Sequence, residues 1–369
     1  MAKKYIYFFG GGKGEGKGDM KDLLGGKGAG LAEMTNIGLP VPAGFTITTE
    51  VCDYFYKNSK KYPQGFAEGL QKNLKSLEKL VGKKLGDPND PLLVSVRSGA
   101  ARSMPGMMET ILNLGLNDKS VEGLARKTNN KRFALDAYRR FITMYGSTAM
   151  GVPRHRFDYE FDDIKERKTR HRLSIPRSRM VLDTDVDEGE LQELIPRFKK
   201  VYKENTGKEF PQDPIEQLQG AIGAVIGSWM AEKAVTYRRV EKITGLLGTA
   251  VNIVQMVFGN MGEDSGTGVC FTRDPNTGEN IFYGDLLMNA QGEDVVAGIR
   301  TPIHLSDLGK ILPEAYKQLL RVRTRLEKHY KDMQDIEFTI ENDKLYMLQT
   351  RNGKRTARAA VKIAVDMVQ

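Results

Sequence analysis

Alternation of apolar and polar positions is sharpest near the C-terminal end, in Asp335-Ile336-Glu337-Phe338-Thr339-Ile340 and again in Lys344-Leu345-Tyr346-Met347-Leu348-Gln349-Thr350-Arg351. A period of two predicts two strands. Glu341-Asn342-Asp343 between them predicts a three-residue hairpin loop, because Asp tolerates the left-handed conformation that the third loop position usually adopts. Ile340 then pairs with Lys344, Asp335 with Gln349 and Glu337 with Met347. Two carboxylates, an amide and Arg351 share one face, and Ile336, Phe338, Tyr346 and Leu348 form the apolar reverse. A two-residue loop would split the polar group across both faces and place ionisable groups against apolar surface. Carboxylates so spaced can hold Mg²⁺, with an arginine beside them for phosphate oxygens; an exposed strand face with a salt bridge is the alternative.

Earlier in the chain, residues 50–82 read as mostly helical, Leu92 to Ala100 as a buried strand and residues 117–212 as helical and strongly charged. A long helix is predicted around 214–241, strands at Val251–Phe258 and Gly268–Thr272, and a helix over 312–331 that leads into the hairpin. The buried strand delivers Arg97 near its C-terminal end, where alpha/beta folds collect ligands; a surface ion pair would explain that arginine equally well.

Glycine-rich turns supply further candidates. Gly10 to Asp19 nearly spells a P-loop, but Gly18 and Asp19 follow Lys17 where Ser or Thr and a helix are needed, so we read it as a decoy. Leu23 to Met34 predicts a glycine turn that carries Lys27 into a short amphipathic helix, either an anion site or a plain turn. The connection Gly259 to Thr267 reads as a flexible phosphate lid, with Gly262, Ser265, Gly266 and Gly268 supplying amides and room. In the polar turn Asn289 to Asp294, Glu293 is free to contact a ribose hydroxyl.

Composition narrows this picture. A chain of 369 residues, 40% hydrophobic and 28% charged, predicts two or three globular domains. Its net charge of +9 favours anionic partners, whether nucleic acid, nucleotide or phosphate. The basic run around Arg154 to Arg172 has few aromatics and carries Asp158, Glu160, Asp162 and Asp163 alongside, so a solvated face is expected there and nucleic acid is not. Cys52 and Cys270 lie far apart and the four histidines are scattered, which argues against zinc and disulfide scaffolds. No apolar run approaches membrane-spanning length and Tyr5 to Phe9 is too short for a secretory signal, so the cytoplasm is the expected compartment.

The segments LLGGKGAGLAEMT, SVRSGAARSMPGMMETILNLGLND, SGTGVCFTRDP, NAQGEDVVAGIRTP, DMQDIEFTI and LYMLQTRNGKRT occur here in one order. Together they resemble the ATP-binding N-terminal part of the pyruvate, phosphate dikinase family over nearly the whole chain, with residues 154–190 fitting poorly. The resemblance implies an α+β, ATP-grasp-type two-lobed nucleotide-binding fold with an inserted helical subdomain. Residues 1–116 and 213–257 would form the first lobe, 117–212 the insertion, 258–353 the second lobe, and 354–369 the start of a linker to further domains.

It also implies roles. Lys27 and Arg97 would contact phosphates, Asp335 and Glu337 would hold Mg²⁺, Gln349 and Arg351 would orient the transferring groups, and Glu293 would lie near the ribose. Gln255, Met256 and Val257, running to Phe258, would form the hinge beside adenine. Gly262, Ser265, Gly266, Thr267 and Gly268 would close over the triphosphate. The family moves a pyrophosphoryl group from ATP to a histidine on a separate carrier domain, passes one phosphate to inorganic phosphate, and makes phosphoenolpyruvate at a pyruvate-binding domain; the full-length enzyme is expected to be a homodimer. A pyruvate, water dikinase is the near alternative. A regulatory nucleotide-binding protein and a nucleic-acid-binding module come from other classes.

Overall fold

The computed structural model describes residues 3–171, 181–297 and 300–368. The chain divides into two compact units, each a mixture of helix and sheet: Met1–Tyr7, Lys21–Gly26 and Gly44–Met256 form the first, and Phe8–Met20, Lys27–Ala43 and Val257–Gln369 the second.

In the first unit the strands Gly44–Ile47, Ala250–Gln255, Val94–Gly99 and Thr110–Leu114 lie side by side in that order. Gly44–Ile47 and Val94–Gly99 both lie antiparallel to Ala250–Gln255, so that strand is central. Its β-branched residues suit a position covered on both faces, and Val251, Ile253, Val94, Val96, Phe45 and Ile47 are fully buried. Helix Phe66–Val81 buries Phe66, Leu70, Leu74 and Leu77, one stripe at helical spacing, and stops where Gly82 turns left-handed (φ 75°).

Residues 120–206 are helical over Ser120–Thr128, Lys131–Met144, Arg154–His171 and Glu188–Thr206. The last of these opens on a capping box, Asp187 with Glu190. Of the basic stretch 154–190, residues 172–180 lie outside the described residues. The long helix expected over 214–241 is two helices, Pro214–Ser228 and Glu232–Val240. Ala231 adopts an extended conformation (φ −60°, ψ 142°) and starts the second helix, while Arg238 stacks on Trp229 at 3.8 Å across the break.

The second unit is built on an antiparallel five-stranded sheet in the order Ile303–His304, Tyr283–Met288, Gly266–Phe271, Gln334–Glu341 and Lys344–Asn352. Helix Pro313–Tyr330 buries Ala315, Leu319, Val322 and Leu326. Helix Ala357–Val368 inserts Ala359 and Ile363 against Met333, beside Phe271 and Met367. The near-P-loop is a hairpin: Phe9 pairs with Gly14 and Gly10 with Lys13, around Gly11 and Gly12 at positive φ. No helix opens directly behind it, since the next begins at Lys21.

Candidate functional site

The hairpin Gln334–Asn352 departs from expectation in its turn and keeps its polar face by another route. Glu341 pairs with Lys344, leaving a two-residue turn in which Asn342 (φ 49°) and Asp343 (φ 58°) are both left-handed. That is the turn whose twist matches the flanking strands. Beyond it Ile340 faces Leu345 and Phe338 faces Met347; then Leu348 bulges out, so Glu337 faces Gln349 and Asp335 faces Arg351. The extra residue shifts the strand's phase by one and gathers the polar groups again. The expected pairs Asp335–Gln349 and Glu337–Met347 are therefore corrected. The reverse face holds Ile336, Phe338, Ile340, Leu345 and Met347, all fully buried, in place of Tyr346 and Leu348. Each such side chain contributes roughly 1.5–3 kcal/mol relative to exposure, which fixes the face.

On the polar face the side chains differ. Asp335 is buried and its Oδ2 accepts the Arg351 Nε–H at 2.7 Å. Glu337 and Gln349 are half-buried, and among the described residues neither has a side-chain hydrogen bond or ion-pair partner. Across the sheet, Glu337 neighbours Val269, which neighbours Asp285. Asp285 adds an exposed carboxylate that sequence reasoning missed, although the alternation from Tyr283 to Leu287 could have signalled a strand with that residue pointing out.

The connection before Gly266–Phe271 is shorter than the expected lid. Gly266, Thr267 and Gly268 lie inside that strand, between Tyr283–Met288 and Gln334–Glu341. A Cβ on Gly268 would lie 2.7 Å from the Phe338 ring and 2.7 Å from the Asp285 carbonyl oxygen, so this glycine serves close packing rather than flexibility. Thr267 is buried and its hydroxyl donates to the Phe338 carbonyl at 3.1 Å. The remaining loop is tied to the hairpin tip: the Phe258 N–H donates to Glu341 at 2.6 Å, the Asp343 N–H to the Asp264 carbonyl at 2.9 Å, and the Asn342 N–H to the Ser265 hydroxyl at 3.1 Å. Gly262 is in the untied arc.

Lys27 lies in the first turn after a kink in helix Lys21–Asn36, where Gly25 is non-helical (φ 67°, ψ 165°). A Cβ on Gly25 would lie 1.8 Å from the Gly99 carbonyl oxygen, so no other residue fits without backbone movement. The Gly26 N–H donates to the Ala100 carbonyl at 2.9 Å, which stitches the glycine turn to the end of the strand that carries Arg97. Gly30, one turn beyond Lys27, faces the Thr350 carbonyl oxygen, 3.8 Å from where its Cβ would be. The second unit thereby brings the Lys27 helix alongside the Gln349–Arg351 strand.

Arg97, half-buried, faces Asn252 on one side and Thr110 on the other. Gln255 ends its strand opposite Val94, and the Met256 N–H donates to the Leu93 carbonyl at 2.8 Å. The boundary between the compact units falls at Met256 and Val257. Glu293 lies in helix Gly292–Ala297, and its side chain is outside the described residues.

Neither thiol offers a nucleophile. Burial pushes Cys52 up to about 11, and burial pushes the fully enclosed Cys270 thiol well above its ordinary value, so both stay protonated near neutrality. His329 is bound to Glu33 at 2.7 Å and His304 to Ser306 at 2.9 Å. Among the described residues no three His, Cys, Asp or Glu side chains group as a metal site. The carboxylate and amide oxygens at Glu337 and Gln349 still suit Mg²⁺, a hard ion usually held by one or two carboxylates with substrate phosphates completing its shell.

The family described as "Pyruvate phosphate dikinase, AMP/ATP-binding domain" matches residues 21–64, 59–306 and 305–369. The chain belongs to this family. Pyruvate, phosphate dikinase of Clostridium symbiosum is 55% identical over 366 residues, 99% of this chain and 40% of its own length. The chloroplastic pyruvate, phosphate dikinase of Flaveria trinervia is 54% identical over 367 residues, 100% of this chain and 37% of its own length. The pyruvate, phosphate dikinase of Rhizobium meliloti (strain 1021) is 50% identical over 378 residues, 99% of this chain and 41% of its own length. The chain thus spans about two fifths of the length of these curated relatives. Family members are named from bacteria and as chloroplastic forms, so the likeness selects no compartment. Among the described residues no helix is long and apolar enough to cross a membrane.

Proposed function

We propose that this chain is the nucleotide-binding, pyrophosphoryl-transferring part of a pyruvate, phosphate dikinase, with an ATP-grasp-type fold. The observation that carries this reading, beside the family membership, is the hairpin face, where Glu337 and Gln349 stand opposed and, among the described residues, without side-chain partners, next to the Asp335–Arg351 pair. Two rigid strands that hold unsatisfied oxygen donors beside a guanidinium favour a polyanion with its metal.

Phosphoryl transfer needs positioning and charge neutralisation more than it needs a protein nucleophile, and this chain offers the former. Lys27 and Arg97 bind phosphate oxygens, Gln349 and Arg351 orient the transferring groups, and the acidic floor of Asp335 and Glu337 receives Mg²⁺. Mg²⁺, when bound, would draw charge from the phosphate oxygens. Gln255, Met256 and Val257 border the base, the arc at Gly262 and Ser265 lies over the phosphates, and Glu293 reaches the ribose. Thr267, with Gly266 and Gly268, supports that arc from within the sheet. The lobes follow the boundaries 1–116 with 213–257, and 258–353, around an inserted 117–212.

In this reading the enzyme converts ATP, phosphate and pyruvate to AMP, diphosphate and phosphoenolpyruvate, through a histidine on a carrier domain and a separate pyruvate-binding domain, in a homodimer. The relatives' names favour phosphate over water as the second acceptor. Calorimetric titration with ATP, with and without Mg²⁺, tests the core of the reading. Binding at least about tenfold tighter with Mg²⁺ is expected, because a hydrogen bond or ligand bond to a charged group is worth about 1.5–3 kcal/mol. Equal affinity in both titrations would remove the metal-nucleotide site.

A further inference from the structure

The glycine-rich stretch Gly10 to Asp19 is no phosphate loop, yet within the second unit its glycines have a regular use. From Gly14 to Gly18 they alternate with charged residues, and every second residue offers a backbone group to the helix behind Lys27. The Gly14 N–H donates to Asn36 Oδ1 at 2.7 Å, the Gly16 carbonyl accepts from Asn36 Nδ2 at 2.9 Å, and the Gly18 N–H donates to Glu33 Oε2 at 2.8 Å. Glu15 and Lys17, between them, are exposed. A Cβ on Gly14 would lie 2.7 Å from the Ala32 carbonyl oxygen, and one on Gly18 3.2 Å from Glu33 Cγ, so glycine is what lets this strap lie against the helix. The other oxygen of Glu33 meets His329 Nε2 at 2.7 Å, and Arg325 Nη1 donates to the Ile37 and Gly38 carbonyls at 3.1 Å each.

These bonds fall on the last turn of helix Lys21–Asn36 or just past it, whereas Lys27 stands in the first turn after the kink. Gly28 and Gly30 make that turn a weak helix former, so its place depends on what holds the rest of the helix. At 3.6 residues per turn Asn36 lies roughly 180° around the helix from Lys27. The strap therefore backs the helix on the side away from Lys27, while Gly30 faces the Thr350 carbonyl oxygen. We infer that the glycine strap, through Glu33 and Asn36, is a positioning device that holds the helix where Lys27 reaches the nucleotide phosphates. The role rests on the phosphate contact proposed for Lys27 above. Glu33 takes one backbone N–H and one imidazole with its two oxygens, so it is the residue on which the strap and helix Pro313–Tyr330 converge.

The test is calorimetric ATP titration at saturating Mg²⁺ on the wild-type chain, Lys27→Met, Glu33→Ala, Gly14→Ala and the Lys27→Met/Glu33→Ala double variant, each checked for cooperative unfolding in urea. Lys27→Met is expected to weaken binding by about tenfold or more, the worth of a bond to a charged group. Glu33→Ala should weaken it by about fivefold, and the double variant should match Lys27→Met within about twofold, because a residue that acts only through Lys27 has nothing left to position. A merely structural role would loosen the site in both backgrounds, and losses that multiply in the double variant would overturn the inference. Should Glu33→Ala fail to fold, Gly14→Ala carries the test, since its Cβ must push the strap off Ala32 without touching a residue of the proposed site: about threefold weaker binding is expected, absent when Lys27→Met is already present. Wild-type affinity in Glu33→Ala and Gly14→Ala, with Lys27→Met weakened, would overturn the strap's role and leave the proposed function standing. Wild-type affinity in Lys27→Met, or a wild-type chain that binds no ATP, would overturn both the phosphate contact and the strap's role.

Discussion

Within the helices between Lys131 and Thr206, charges are matched to one another. Asp136 accepts from Arg139 at 2.7 Å and Arg140 at 2.9 Å, Asp183 takes Arg139 and Lys165, Lys168 reaches Asp187 and Glu190, and Arg197 reaches Glu160 and Asp163. On the hairpin Gln334–Asn352 the polar groups are as well held by the backbone, but Glu337 and Gln349 face each other with no protein partner among the described residues. The difference separates two uses of charge. A network closed on itself shapes the fold and has little left for a ligand, whereas donors held rigid and unpaired await one. The basic run from Arg154, for which sequence alone predicts a solvated face and no nucleic acid, belongs to the first kind as far as its described residues go.

The largest effect expected from breaking the contrast is on stability. Asp136 is almost fully enclosed with Arg139 and Arg140, so Asp136→Ala removes the carboxylate that both buried guanidinium groups share and should cost about 3–5 kcal/mol. Glu337→Gln, which removes a charge without an ion-pair partner among the described residues, should leave stability nearly unchanged. Urea unfolding of the two variants measures both. A midpoint drop in Glu337→Gln equal to that in Asp136→Ala would erase the distinction.

A smaller effect follows from pH. Burial pushes the Asp136 carboxyl up, but Arg139, Arg140 and Arg132 outweigh it and hold the group at about 2. A carboxyl depressed in the folded state stabilises fully above its unfolded value of about 3.9 and loses that contribution as pH falls through the folded value. Stability should therefore fall by about 2 kcal/mol from this group between about pH 4 and pH 2. Asp136→Asn should flatten that part of the profile, and an unchanged slope would show that the carboxyl does not govern it.

How far the sequence disclosed these regions depended on how local the cause was. The strands of the hairpin were legible because Ile336, Phe338 and Ile340 repeat at the period of a half-buried strand, and the carboxylates came with them. The turn and the bulge at Leu348 were not, because the phase of Lys344–Asn352 depends on which side chains must be buried over Gly266–Phe271, a strand far away in sequence. Gly268 was misread for a related reason: a glycine looks the same whether it gives freedom to a lid or clearance to the Phe338 ring. The break at Ala231 carries no Gly or Pro at the break itself, so the periodic pattern ran across it. Asp285 was missed because its strand is short and its alternation weak.

The smallest effect sharpens the contrast within the helical region itself. Arg197 binds Glu160 and Asp163 much as Arg139 binds Asp136, but its side chain is 27% exposed against 9% for Arg139. Water and salt can replace its partners, so the desolvation that makes Asp136 costly to disturb is largely absent. Arg197→Ala should cost about 1 kcal/mol, including the packing of its methylene stem. That cost should shrink as ionic strength rises, while the cost of Asp136→Ala should stay constant. Urea unfolding of both variants at low and high salt distinguishes them. Equal salt dependence would mean that burial does not separate the two networks, and that closure of the ion pairs alone governs this region.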